Sequence, residues 1–166
     1  MKQFTLIVIS SLLLLSGCGA KPERYVPSSE QEKASTSYKS VRILNDANRS
    51  ESVISTVYLN EVYAKYTEGK WSHFLVSFYN AKQENHLSFK KDENQSNGEF
   101  VLLLNGEDAN LSLPLENDDL LVELLPVHNA WNKYYYVRYK LPSAKPVLVL
   151  ESDHKQQAVI VYEKVK

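Results

Sequence analysis

From Tyr38 onward, short apolar and aromatic runs alternate with polar residues and are broken at close intervals by Asn, Asp, Gly, Pro or Ser. Successive side chains of an extended strand point to opposite faces, so a period of two selects strands, and β-branched and aromatic residues suit the pleated surface. No segment sustains ten residues at a 3.6 period, which excludes an appreciable helix content. The spacing predicts strands over 38–44, 52–59, 61–67, 71–79, 86–90, 99–104, 108–113, 120–125, 133–141, 146–151 and 157–165. Many short strands joined by tight turns predict an all-β domain over 38–166, an antiparallel β-sandwich of Ig-like or transthyretin-like plan, with a closed barrel as the alternative. The chain has 166 residues, 43% of them hydrophobic, enough for one sizeable core and one domain.

Two turns assign faces. Asn105-Gly106, within "EFVLLLNGEDANLSL", is a two-residue hairpin signal, because both central positions of a type I′ turn need positive φ. Continued as a hairpin, it sets Leu104 opposite Glu107, Leu102 opposite Ala109 and Phe100 opposite Leu111, and gives Phe100, Leu102, Ala109, Leu111 and Leu113 one core face. Val101 and Leu103 then occupy the other face and require a cover. A second turn at Glu68-Gly69 sends Phe74, Val76 and Phe78 one way, and His73, Leu75, Ser77 and Tyr79 the other. The apolar phase slips between Val53, Val57 and Leu59 on odd positions and Val62, Ala64 and Tyr66 on even ones, which predicts a bulge or bend near Asn60-Glu61. The last strand is apolar on both faces up to Glu163, as a central strand would be.

The first 17 residues, "MKQFTLIVISSLLLLSG", place one lysine before an apolar stretch too short to span a bilayer comfortably, the pattern of a cleaved leader. It ends in Leu15-Ser16-Gly17-Cys18, and Cys18 is the only cysteine of the chain. That ending resembles the lipobox of bacterial lipoprotein precursors. The resemblance implies a signal peptide over 1–17, diacylglyceryl transfer to the Cys18 thiol, and cleavage that leaves Cys18 as the first residue. Two or three acyl chains anchor a protein stably where one holds it marginally. Gly19, in place of the Asp that retains such proteins in the inner membrane of Gram-negative bacteria, implies an outer-membrane address, facing the periplasm. Residues 18–37 are then the lipidated N-terminus and a flexible tether rich in Ser, Glu, Lys and Pro; a short helix over 29–34 is conceivable there, with nothing apolar to dock it.

Chemistry is sparse in the rest of the sequence. The 19 basic and 20 acidic side chains are balanced, with no basic cluster of the kind nucleic acid demands, so nucleic acid is not an expected partner. There is no phosphate-cradling glycine loop and no G-x-S-x-G elbow. His73, His86, His128 and His154 are scattered, without the spacing of a ligand pair. Asp92, Asn94 and Ser96 alternate as calcium ligands do, but no Gly or Glu falls where an EF-hand needs it, and a solvated loop explains them better; so too for Glu116, Asp118 and Asp119. No catalytic residue, cofactor or metal is expected.

The most distinctive stretch is "NAWNKYYYVRYKLP". Extended, it points Tyr135, Val137, Tyr139 and Leu141 to a core face, and Tyr134, Tyr136, Arg138 and Lys140 to the other. With Trp131 just upstream, the second set makes a candidate binding stripe, able to stack and to offer cations to hydroxyl-rich or anionic partners. The competing reading is cross-strand stabilisation, with the tyrosines packed on neighbours. The expectation is a non-catalytic envelope protein, held to the membrane by its N-terminal lipid, that binds another protein or an envelope polymer as an accessory part of a secretion or outer-membrane assembly. Outer-membrane lipoproteins of type VI secretion are similar in plan alone. The alternatives are an envelope hydrolase acting on peptidoglycan or a related polymer, and a carrier with an open apolar interior.

Overall fold

The computed structural model describes residues 26–45, 47–82, 86–91, 100–140, 145–152 and 156–163. Their strands are β1 Tyr38–Leu44, β2 Ser50–Tyr58, β3 Trp71–Asn80, β4 Leu87–Ser88, β5 Phe100–Leu104, β6 Leu111–Leu115, β7 Lys133–Lys140, β8 Val147–Ser152 and β9 Gln157–Val161. They form a five-stranded sheet in the order β1-β2-β3-β7-β6 and a four-stranded sheet in the order β4-β5-β8-β9. Both sheets have edge strands, so the fold is a sandwich and the barrel alternative falls. Every pairing is antiparallel except β4 with β5, which is parallel.

The main core lies between the sheets. Ile54, Phe74, Val76, Phe78, Val137 and Tyr139 face Phe100, Leu102, Leu104, Leu148, Leu150 and Ile160, closed at one side by Tyr162. Each strand contributes alternate residues, as the pleat dictates. Polar atoms in this core are matched: Tyr139 Oη donates to the Leu102 carbonyl at 2.7 Å, tying one sheet to the other, and Tyr162 Oη lies 2.6 Å from Thr56 Oγ1. A buried hydroxyl without such a partner would cost about 1–3 kcal/mol.

A second, smaller core covers one half of the outer face of the five-stranded sheet. Val57, Leu75 and Tyr134 point outward there and meet Leu59, Val62, Val122, Leu124, Leu125, Val26 and Ala34. Three non-strand elements carry these partners, with Val26 just before the first and Leu125 just after the last: helix α1 Ser28–Ser37, the single helical turn α2 Leu59–Val62 and a 3₁₀ turn at Val122–Leu124. This corrects three expectations. Residues 28–37, assigned to the tether, form α1 and dock through the fully buried Ala34, with Ser37 Oγ accepting from the Tyr58 amide and donating to the Tyr58 carbonyl. The expected strand over 61–67 is α2 followed by a 3₁₀ turn at Ala64–Tyr66; the phase slip marks the chain leaving the sheet, since buried Leu59 and Val62 repeat at the helical interval of three. The expected strand over 120–125 is the other 3₁₀ turn, started by Asp119, whose Oδ1 accepts from the Leu121 amide at 2.9 Å.

The Asn105-Gly106 turn forms with φ of 52° and 83° and reciprocal bonds between Leu104 and Glu107. The hairpin does not continue. Leu102 pairs with Leu150 of β8, whereas Leu111, Leu113 and Leu115 pair with Arg138, Tyr136 and Tyr134 of β7 in the other sheet. After Glu107 the chain crosses between the sheets, held by the Ala109 amide on the Phe89 carbonyl and the Asn110 amide on the Arg138 carbonyl. Leu113 is therefore exposed, not in the core, while Val101 and Leu103 are buried. Strand β9 is also an edge, not a central strand, and exposes Val159 and Val161.

Candidate binding cleft

On the outer face of the five-stranded sheet, the half not covered by the second core is open. The registers Ser40↔Ser55 and Ser55↔Ser77 set three serines in a row across β1, β2 and β3 on this face. One residue pair further along lie Val53 and Tyr79, and on the opposite side of the row lies Tyr38. Small side chains on adjacent strands leave a trough, because nothing longer than a hydroxyl rises from its middle. The connection from β6 to β7 forms the far wall with Val127, Asn129, Trp131 and Asn132. The result is a cleft of about 320 Å³ whose lining, among the described residues, carries no charged side chain. That volume is at the small end of the range for ligand sites.

The wall is braced. Asn129 Oδ1 accepts from the amides of Trp131 and Asn132 at 2.9 and 3.2 Å, an Asx-type turn that sets the loop. Tyr134 Oη accepts from the Asn129 amide at 2.7 Å and donates to the Asn129 carbonyl at 2.9 Å. Asn132 Nδ2 donates to Ser77 Oγ at 2.8 Å and ties the loop to the floor. On this rigid mount Trp131 is 70% exposed and Val127 65%. Burying that aromatic surface against a ligand would contribute about 25 cal/mol per Å².

The floor has a direction. Tyr38 Oη donates to Ser55 Oγ at 3.1 Å, Ser55 Oγ to Ser40 Oγ at 3.0 Å, and Ser40 Oγ to the Ile54 carbonyl at 3.3 Å. Each hydroxyl owns one proton and two lone pairs. The three protons are used within the sheet, so the capacity left to Tyr38, Ser40 and Ser55 is lone pairs.

The candidate stripe is split by this geometry. Trp131 belongs to the cleft. Tyr134 is 2% exposed and acts beneath the loop, not as a contact residue. Tyr136 is half-buried, with its hydroxyl 2.6 Å from His73 Nδ1. Arg138 lies over the ring of Trp71 at 4.7 Å from the centroid, and its buried Nε finds no hydrogen-bond partner among the described residues. Lys140 is exposed at the strand end, and Leu141 lies outside the described residues. Alternation along β7 was read correctly, but the expected outward surface meets the second core: Tyr134 and Tyr136 pack there, as in the cross-strand reading.

His73 sits in that packing. Its ring stacks on Tyr66 at 4.2 Å, and its amide donates to Asn60 Oδ1 at 2.7 Å while Asn60 Nδ2 reaches the carbonyls of Tyr66 and Trp71. Burial, and then the nearby Arg138 guanidinium, hold His73 below its ordinary pKa, so the imidazole is neutral in the fold. His86 and His128 are exposed, and among the described residues no group of three His, Cys, Asp or Glu side chains converges. Residues 92–99, with Asp92, Asn94 and Ser96, and His154 lie outside the described residues, as do residues 1–25 with the leader and Cys18.

Compared with known proteins, the chain matches no family model, no curated protein and no solved structure. Tyr38, Ser40, Ser55, Ser77 and Tyr79 were not singled out as a site from the sequence. Their signal was present in part, since Ser77 and Tyr79 were placed on one face, but only the strand order brings Ser40 and Ser55 alongside.

Proposed function

We propose that this chain is a lipid-anchored, non-catalytic envelope protein of a Gram-negative outer membrane that captures another protein or an envelope polymer through the cleft beneath Trp131. The observation that carries the reading is the braced exposure of Trp131: three hydrogen bonds through Asn129 and Tyr134 hold in water a ring that folding alone would bury. The cleft lining consists of Ser, Asn, Val, Tyr and Trp, residues suited to recognition, with neither carboxylate nor imidazole to move a proton. Support for the anchor is the ending Leu15-Ser16-Gly17-Cys18, followed by Gly19. An accessory role in a secretion or outer-membrane assembly follows the same plan.

The test has two parts. Cells expressing the full chain are fed an alkyne fatty acid and fractionated; the wild type should label and sediment with outer membranes, and Cys18→Ala should do neither. A Cys18→Ala protein that stays in the membrane fraction would sink the anchor. In the same cells, a photo-crosslinking residue placed at Val127, at the cleft rim, should trap a discrete envelope component, whereas one at Glu163, outside the cleft, should not. Equal capture from both positions would remove the cleft from the reading.

A further inference from the structure

We infer that the cleft takes a neutral saccharide, with a sugar ring stacked on Trp131 and its hydroxyls donating to the serine floor. This deepens the proposed function and rests on its assignment of the cleft as the binding site. The argument is the hydrogen-bond direction of the floor. Because Tyr38, Ser55 and Ser40 pass their protons along the sheet to the Ile54 carbonyl, what they offer a ligand is lone pairs. A phosphate, sulfate or carboxylate brings only acceptors and would face them lone pair to lone pair. A polyol brings a donor on every hydroxyl and meets them correctly.

Charge points the same way. Among the described residues the lining holds no cation to compensate an anion and no carboxylate to hold an ammonium group; the cation nearest by register, the exposed Arg42 opposite Val53, is not part of it. A saccharide also has what the wall requires. The C–H face of a pyranose ring is apolar and flat, and the exposed rings of Trp131 and Tyr79 supply aromatic surface for it. The floor offers lone pairs at Tyr38, Ser40 and Ser55 and a hydroxyl proton at Ser77, which accepts from Asn132, so that with the aromatic wall it suits a ligand apolar on its face and edged with hydroxyls, which donate and accept alike. Asn132, one of whose two amide protons goes to Ser77, adds a carbonyl acceptor and a second N–H donor.

The experiment uses the full chain as cells process it, purified in a sugar-free zwitterionic detergent, and titrates it with maltotetraose, cellotetraose and chitotetraose by calorimetry and tryptophan fluorescence. Saturable binding of at least one of these is expected, weakened tenfold or more in Trp131→Ala at an unchanged melting temperature. Ser55→Ala, which removes the central acceptor, should weaken it as well. If melting shows Ser55→Ala to be misfolded, Trp131→Phe, which keeps an aromatic face, should retain most of the affinity and separates stacking from fold. Binding that survives Trp131→Ala overturns the placement of the sugar. Failure of all three neutral oligosaccharides, or binding of polygalacturonate alone, overturns the neutral-saccharide assignment. If crosslinking from position 127 still traps one protein in that case, the proposed function stands and only the ligand class is lost.

Discussion

Tyr134 is buried on the outer side of β7, and its hydroxyl closes a pair of hydrogen bonds with the amide and carbonyl of Asn129. The phenol thus links the second core to the wall of the cleft. Tyr134→Phe keeps the ring in its apolar site and deletes only these two bonds. The expected cost is about 1 kcal/mol in urea unfolding, the net worth of a bond whose amide lies on the exposed Asn129. Amide exchange at 129–132 should quicken while that of β7 is unchanged; uniform exchange across both would show that Tyr134 does not brace the loop. The same residue marks the limit of local reading. Alternation along "KYYYVRYK" gives the two faces of β7 from sequence, with Val137 and Tyr139 inward. It does not say which outward residues meet water, because that depends on α1 and on the 3₁₀ turn at Val122–Leu124, both distant in the chain. Tyr134 and Tyr136 look alike with Trp131 in composition, yet only Trp131 lies beyond the covering elements.

At the scale of elements, the Asn105-Gly106 turn was legible because its requirement is local. Gly106 has φ of 83°, a left-handed conformation that costs a residue with a Cβ about 1–2 kcal/mol. Asn105, also at positive φ, spends its side chain on β8, accepting from the Val147 amide at 2.7 Å and donating to the Lys145 carbonyl at 3.1 Å. Gly106→Val should lower stability by about 2 kcal/mol, read as a fall in Tm of several degrees, because branching at Cβ adds to the strain although no neighbour lies within 4 Å of the new carbon. An unchanged Tm would mean that the turn tolerates the β region. What the turn does not encode is where the chain goes next. Two residues past Gly106, the choice between pairing back on β5 and crossing to β7 is made by competition: β8 supplies Leu148 and Leu150 for the inner face of the sheet. Residues 61–67 and 120–125, expected as strands, leave the sheet for a related reason. In each, a polar side chain bonds the backbone: Asn60 Nδ2 donates to the Tyr66 carbonyl and folds the segment back on β3, where Asn60 Oδ1 accepts from the His73 amide, and Asp119 Oδ1 accepts from the Leu121 amide.

Across the whole molecule, two cores share one sheet. Between the sheets the period-two pattern fixes the burial of Phe74, Val76 and Phe78, so that the sandwich was readable from residues alone. The second core was not, since α1 contributes little more than Ala34 and has no apolar face to announce it. Both cores bury tyrosine hydroxyls, which gives a pH dependence to the molecule as a unit. Burial raises Tyr139, Tyr162 and Tyr58 in the main core above the ordinary value near 10, and burial with the neighbouring Glu30 of α1 pushes Tyr63 in the second up to about 12. In the unfolded chain these phenols ionise near pH 10, while in the folded chain they hold their protons. The unfolded state therefore binds fewer protons above pH 10, so stability is fully present below that pH and falls as it rises further. Urea unfolding at pH 8, 9, 10 and 11 should give a constant free energy over the first two and a decline over the last two. Tyr162→Phe is less stable at pH 8 for want of its bond to Thr56, yet should decline less steeply between pH 10 and 11. A slope identical to that of the unmutated protein would mean that Tyr162 ionises alike in both states, and that burial in the main core does not hold its proton.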